Sequence, residues 1–175
     1  MNKHKKIMLV VFAVLAILFT VLDQVTKYLA IIYLKGAESI KIIEGALELH
    51  YLENKGAAFG VLQGQKVFIL FIGVVFLVVL LFCLFKLPEK TKYDLFYYLG
   101  SAMLAGAIGN MIDRIRFDYV VDFIYFSLID FPIFNVADIY ITVSVFILAI
   151  AVLFFYKEED FEFLNFKAKK YRELK

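Results

Sequence analysis

Residues 67–85 read VFILFIGVVFLVVLLFCLF, nineteen positions without a charge. A bilayer core of about 30 Å takes about 20 apolar residues in a helix, so a run of this length reads as a membrane span. Leu95 to Ile112 and Ile139 to Tyr156 are uncharged over eighteen residues each. The first apolar run, Ile7 to Leu22, has sixteen and reaches span length only if its helix continues through Asp23, Gln24, Thr26 and Lys27 to about Ala30. Pro132 precedes the last run, and its fixed φ suits a helix start. The predicted spans are therefore about 7–30, 67–85, 95–112 and 133–156. Together they hold only Asp23, Lys27 and Asp138 of the chain's 36 charges.

Composition agrees. The 175 residues are 63% apolar, with a mean hydropathy of +0.81, against about 45–50% apolar in a soluble domain. Net charge is +2 and the basic residues lie in short flanking segments, so no nucleic-acid partner is expected. The single cysteine, Cys83, follows Phe82 deep in the second span, which excludes an internal disulfide and a cysteine-rich metal site. It also argues against the chain being a lipoprotein itself. The N-terminal MNKHKK and its apolar run resemble a secretory signal, but no small-x-small cleavage site follows Leu22, so the segment is expected to be retained.

The expected class is an all-α polytopic membrane protein, four transmembrane helices with a small extracytoplasmic β element, in a single membrane-embedded domain over 1–175. Four spans put both termini on one side. Lys3, Lys5, Lys6, Lys86, Lys90, Lys92 and six basic residues of the tail 157–175 face six on the opposite loops, Lys35, Lys41, Lys55, Lys66, Arg114 and Arg116. The positive-inside rule then makes the termini and the tail cytoplasmic and turns 31–66 and 113–132 outward. In the outer segment, about 36–64, Leu47, Leu49 and Tyr51 alternate with Glu48 and His50, and Asn54-Lys55-Gly56 follows as a turn, which predicts a strand. The tail has the composition of an interfacial helix or a disordered extension.

Charged groups inside a bilayer cost about 2.5–3.5 kcal/mol each on insertion scales and are retained mainly where they face a polar interior or serve a function. Here they collect at one depth. Asp23 lies sixteen residues along the first helix, roughly 24 Å from Ile7 at 1.5 Å per residue. The third helix ends on Asn110, Asp113 and Arg114, and Asn135 and Asp138 lie near the outer end of the fourth. Asp23 with Lys27, Asn110 with Asp113 and Arg114, and Asn135 with Asp138 are each spaced to share a helix edge. Asp122 sits in the outward loop among Val120, Val121 and Phe123, which could tuck it against the bundle. An ion pair at a helix end would account for Asp23 and Lys27, an interfacial pair for Asp113 and Arg114, and close helix packing for Gly106 and Gly109. Asp138, with no basic residue on its own helix before Lys157, resists so plain a reading.

The chemical inventory is small. His4 precedes the first span and His50 lies in the outer segment, so no histidine-assisted nucleophile can form in the bundle. HExxH, GxGxxG, a P-loop and GxSxG are absent. Carboxylates remain. Two held close together split their pKa values and share one proton, so that one serves as general base and the other as general acid toward a water, with no cofactor or metal.

Five segments, taken in order, resemble bacterial lipoprotein signal peptidases, the signal peptidase II family. They are Asp23-Gln24-x-x-Lys27, Asn54-Lys55-Gly56-Ala57-Ala58-Phe59-Gly60, Gly106-Ala107-Ile108-Gly109-Asn110-Met111-Ile112-Asp113-Arg114, Val120-Val121-Asp122-Phe123 and Phe131-Pro132-Ile133-Phe134-Asn135-Val136-Ala137-Asp138. The resemblance implies a catalytic pair, Asp122 and Asp138, with Asp113 as the competing candidate. It implies substrate-binding or orienting roles for Asp23, Asn54, Gly56, Asn110, Asp113, Arg114 and Asn135. It further implies an aspartyl endopeptidase of the bacterial cytoplasmic membrane, monomeric and surrounded by membrane lipids, with its site near the outer face. Such an enzyme cuts diacylglyceryl prolipoproteins before the lipidated cysteine, needs no cofactor, and is inhibited by globomycin-type cyclic peptides. Two other classes compete. A proton-coupled transporter would need polar residues across the whole bilayer, and the inner halves of the last three spans have no charge; a four-helix scaffold would leave Asp122 and Asp138 without a purpose.

Overall fold

The computed structural model describes residues 1–56 and 62–164. The chain runs α1 (Lys3–Leu34), β1 (Ile40–Ile43), β2 (Leu47–Asn54), α2 (Lys66–Lys86), α3 (Asp94–Phe117), β3 (Val120–Tyr125) and α4 (Val136–Phe154), with short 3-10 turns between them. All four helices are long and apolar enough to cross a bilayer, and they present large apolar side chains such as Val67, Phe71, Ile17 and Phe146 on the outside of the bundle. The fold is mostly helical with one small sheet, as the sequence predicts.

Two helices outrun their predicted limits by several residues, and α2 by one at each end. α1 starts at Lys3 because the Asn2 side chain caps it, accepting from Lys5 N at 2.8 Å, and continues to Leu34, so its 32 residues span about 48 Å. α3 continues five residues past Ile112 to Phe117, where Asp118 adopts a left-handed conformation (φ 68°) and donates its N–H to Arg114 O, turning the chain directly into β3. α4 instead starts late. The predicted start at 133 is corrected to Val136, because Phe134 is bridged to Ile124 of β3 and only Asn135 beyond it is free to cap the helix.

The central helix is α3, packed against α1, α4 and α2. Its small residues allow this. A Cβ on Gly106 would lie 2.5 Å from Ala137 O and 2.8 Å from Ile141 Cγ1, and one on Gly109 would collide with Asp23 Oδ2. Close approach through small residues is the usual way membrane helices gain packing contact, since lipid offers no hydrophobic drive between them.

At one end of the bundle β1, β2 and β3 form an antiparallel sheet in that order. β1 and β2 fall within the predicted 36–64 segment. The sequence does not predict the third strand: 120–125 reads as a loop because its residues, apolar around Asp122, show no period-two alternation, and it is buried over its first four positions. The register sets Leu52 opposite Asp122 and Asn54 opposite Val120. The other end of the bundle carries both chain ends described here. There Lys5 Nζ donates to Phe85 O and Leu87 O, and Tyr93 OH donates to Asp160 O. The tail forms a 3-10 turn over Glu158–Leu164; the rest of it, 165–175, and positions 57–61, which include the last four of the second landmark segment, lie outside the described residues.

Candidate active site

β3 and the start of α4 meet where the Ile124–Phe134 bridge draws the chain back across the sheet. Asn135 is extended (φ −132°) and forms a reciprocal capping box with Asp138: Asn135 Oδ1 accepts from Asp138 N at 3.1 Å, and Asp138 Oδ2 accepts from Asn135 N at 3.1 Å. The cap occupies Asn135's oxygen and so turns its amide nitrogen toward β3, where Nδ2 donates to Asp122 Oδ1 at 2.6 Å. The predicted i, i+3 pair on a helix edge is thus a helix cap that reaches the strand.

Asp122 is buried. Its other oxygen accepts from Asn54 Nδ2 at 2.8 Å, and Asn54 is oriented for this because its own Oδ1 accepts from Gly56 N at 2.9 Å. Burial, and then the nearby charge of Asp138, push the Asp122 carboxyl up to about 7, against the opposing effect of the Asn54 and Asn135 hydrogen bonds. Asp138 Oδ1 accepts from Asn110 Nδ2 at 2.8 Å. Arg114 ties the two sides of the site together, donating to Asn110 O on its own helix and, at 2.8 Å, to Gly56 O.

Asp122 and Asp138 both line one cavity of about 710 Å³, together with Asn54, Asn110 and Arg114. Most of the remaining lining is apolar and includes Phe126, Phe131, Phe134, Ile139 and Ile141. A largely apolar cavity with a few converging polar groups suits a ligand that is mostly apolar around a polar centre.

Of the remaining predicted residues, Asp23, Asp113 and Asn135 are fully buried behind the cavity, and Gly56 serves as the turn that Asn54 and Arg114 grip. Asp23 and Asp113 both pair with Lys27 Nζ at 3.1 Å. Asp23 Oδ1 also accepts from Ala137 N at 3.0 Å, and Asp113 Oδ2 from Val121 N at 3.1 Å. Each therefore holds the backbone one residue before Asp138 or Asp122. Gln24 bridges the two, donating to Asp113 Oδ1 and Asp23 Oδ2. Sequence reasoning gives Gln24 no role and leaves Lys27, with Asp23, between an ion pair at a helix end and a support for the site; their presence in the Asp23-Gln24-x-x-Lys27 segment is the available signal.

A family model described as signal peptidase (SPase) II matches residues 15–154. The lipoprotein signal peptidase of Caldanaerobacter subterraneus subsp. tengcongensis is 46% identical over 144 residues, 81% of this chain and 96% of that protein. That of Enterococcus faecalis is 42% identical over 139 residues, 79% of this chain and 84% of that protein. Among solved structures, a bacterial membrane enzyme determined by the in meso method at 1.9 Å superposes with a TM-score of 0.72 at 34% identity, covering 83% of this chain and 94% of that one.

Proposed function

Because the chain belongs to the signal peptidase II family, and so is a multi-pass membrane protease of lipoprotein processing, we propose that it is an aspartyl endopeptidase whose catalytic pair is Asp122 and Asp138. What supports this reading is that the two carboxyls line the same cavity and are joined through Asn135 and Asn110. Asp138 accepts an N–H on each oxygen and stands in the first turn of α4, where the helix dipole favours an anion. It is the general base. Asp122, raised to about 7 by burial and by its neighbour, carries the shared proton and is the general acid.

In the first step Asp138 takes a proton from water, the water oxygen attacks the scissile carbonyl, and Asp122 gives its proton to the carbonyl oxygen. The resulting diol collapses as Asp122 takes a hydroxyl proton and Asp138 passes the proton it holds to the leaving amine nitrogen, which returns both carboxyls to their starting states. Asn54, Asn110 and Asn135 orient the pair, Arg114 and Gly56 fix the turn beside it, and Asp23 and Asp113 brace the two backbones. The substrate is a prolipoprotein, cut before its diacylglyceryl cysteine, with the acyl chains against the apolar lining of the cavity and the surrounding membrane lipid. Globomycin-type cyclic peptides occupy the same cavity. The chain acts as one membrane-embedded domain, as a monomer, with its termini in the cytoplasm and the sheet end at the outer face of the bacterial cytoplasmic membrane, as the twelve-to-six division of basic residues favours.

The test is cleavage by purified protein in detergent with EDTA present. The diacylglyceryl prolipoprotein should be cut and the unmodified precursor left intact. Asp122→Asn and Asp138→Asn should each lose cleavage while keeping the parent's melting profile; full activity in either variant removes the pair.

A further inference from the structure

Lys27 is 2% exposed, does not line the cavity and makes no hydrogen bond or ion pair with either aspartate of the proposed pair, although its charge reaches Asp122. Its ammonium can donate but not accept; it pairs with Asp23 Oδ2 and Asp113 Oδ2, each at 3.1 Å, and donates a hydrogen bond to Asn110 Oδ1 at 2.8 Å. The third contact has a directional consequence. A group that can only donate must be met by the oxygen of the Asn110 carboxamide, so the nitrogen is forced to the opposite side, where it donates to Asp138 Oδ1 at 2.8 Å. Turned by 180°, the same carboxamide would aim its oxygen lone pairs at a carboxylate. Asn135 Nδ2 also reaches Asn110 Oδ1, but at 3.2 Å, and that nitrogen is engaged more closely with Asp122 at 2.6 Å.

We infer that Lys27 is a positioning residue of the active site, acting through Asn110 to keep an N–H donor aimed at Asp138. The inference rests on the catalytic reading above. The charged and titratable groups around this relay are Asp23 on α1, Asp113 and Arg114 on α3, Asp122 on β3, and Asp138 and Tyr140 on α4. Without the ammonium only the longer Asn135 contact holds the Asn110 oxygen, and the donor aimed at the anionic form of the base is less firmly aligned.

The experiment is a double-mutant cycle with Lys27→Met and Asn110→Ala, read as kcat, KM and the pH dependence of kcat on a diacylglyceryl prolipoprotein. Lys27→Met should lower kcat by up to about 10²-fold, the scale of a small misplacement of a catalytic group, with KM unchanged and the acid limb of the profile moved to higher pH. Asn110→Ala should move the same limb in the same direction, and the double variant should lose no more than Asn110→Ala alone. Should Lys27→Met fail to fold with two unpaired carboxylates, the cycle is run in an Asp113→Asn background, where removal of the ammonium leaves only Asp23. Losses that multiply, or an acid limb that stays in place, overturn the relay. Failure of the catalytic pair itself reads out separately, as cleavage surviving in Asp122→Asn or Asp138→Asn.

Discussion

Asp113 accepts the backbone N–H of Val121 at 3.1 Å, so a helix carboxylate holds the strand one residue before Asp122. Asp23 does the same at Ala137, one residue before Asp138. The proposed catalytic aspartates are thus each braced by a second aspartate, and Lys27 joins the two braces. This division of labour separates four acidic residues that look alike in the sequence.

Asp113→Asn tests that separation. It keeps one acceptor but removes the charge that pairs with Lys27, in a place where breaking a buried pair is destabilising by about 3–5 kcal/mol. Thermal unfolding in detergent should shift clearly downward while slowed cleavage persists. Complete loss of cleavage with an unchanged melting point would make Asp113 a member of the catalytic pair instead.

Asn135 serves two functions that can be separated. Serine also caps helices well, whereas alanine in that position costs about 1 kcal/mol, and a serine is too short to reproduce the amide that reaches Asp122 Oδ1. Asn135→Ser should hold the melting temperature near the parent's and lower kcat, while Asn135→Ala lowers both. Equal activity in Asn135→Ser and the parent would show that the Asp122 contact is dispensable.

The pH dependence follows from Asp122. Its raised value, about 7, keeps it protonated below that pH and ionised above, so a mechanism needing one shared proton loses activity as pH rises through about 7. The Asn54 hydrogen bond favours the ionised form; without it the proton is held more tightly. The alkaline limb of kcat should accordingly move to higher pH in Asn54→Ala, and a move to lower pH would contradict the assignment of Asp122 as the acid.

Gly109→Ala and Gly106→Ala probe the packing. The added Cβ would strike the Asp23 carboxylate in the first case and the Ala137 carbonyl in the second, and overpacking of this kind is destabilising by about 1–3 kcal/mol. Both should melt at lower temperature. Gly109→Ala should also lose activity out of proportion, since Asp23 cannot retreat without releasing Ala137 N.

The four spans were legible because bilayer thickness translates directly into a count of apolar residues, and that count is a property of the chain alone. The depth of the polar residues followed from helical rise in the same way, as did β2, whose alternation announces one exposed face. The start of α4 and the existence of β3 were not legible. Val120 to Phe123 carry no alternation because both faces of that strand are covered, and Pro132 marks a helix start only where nothing competes for the next residues, whereas here β3 claims Phe134.

Sequence alone determined that carboxylates and amides would gather at one level of a four-helix membrane protein. Which aspartate faces the cavity and which faces Lys27 was decided by tertiary structure, because orientation depends on hydrogen-bond partners far apart in the chain: Asn54 with Asp122, Asp23 with Ala137, Lys27 with Asn110. Local spacing sets which residues share a helix edge; only the packed bundle sets what that edge meets.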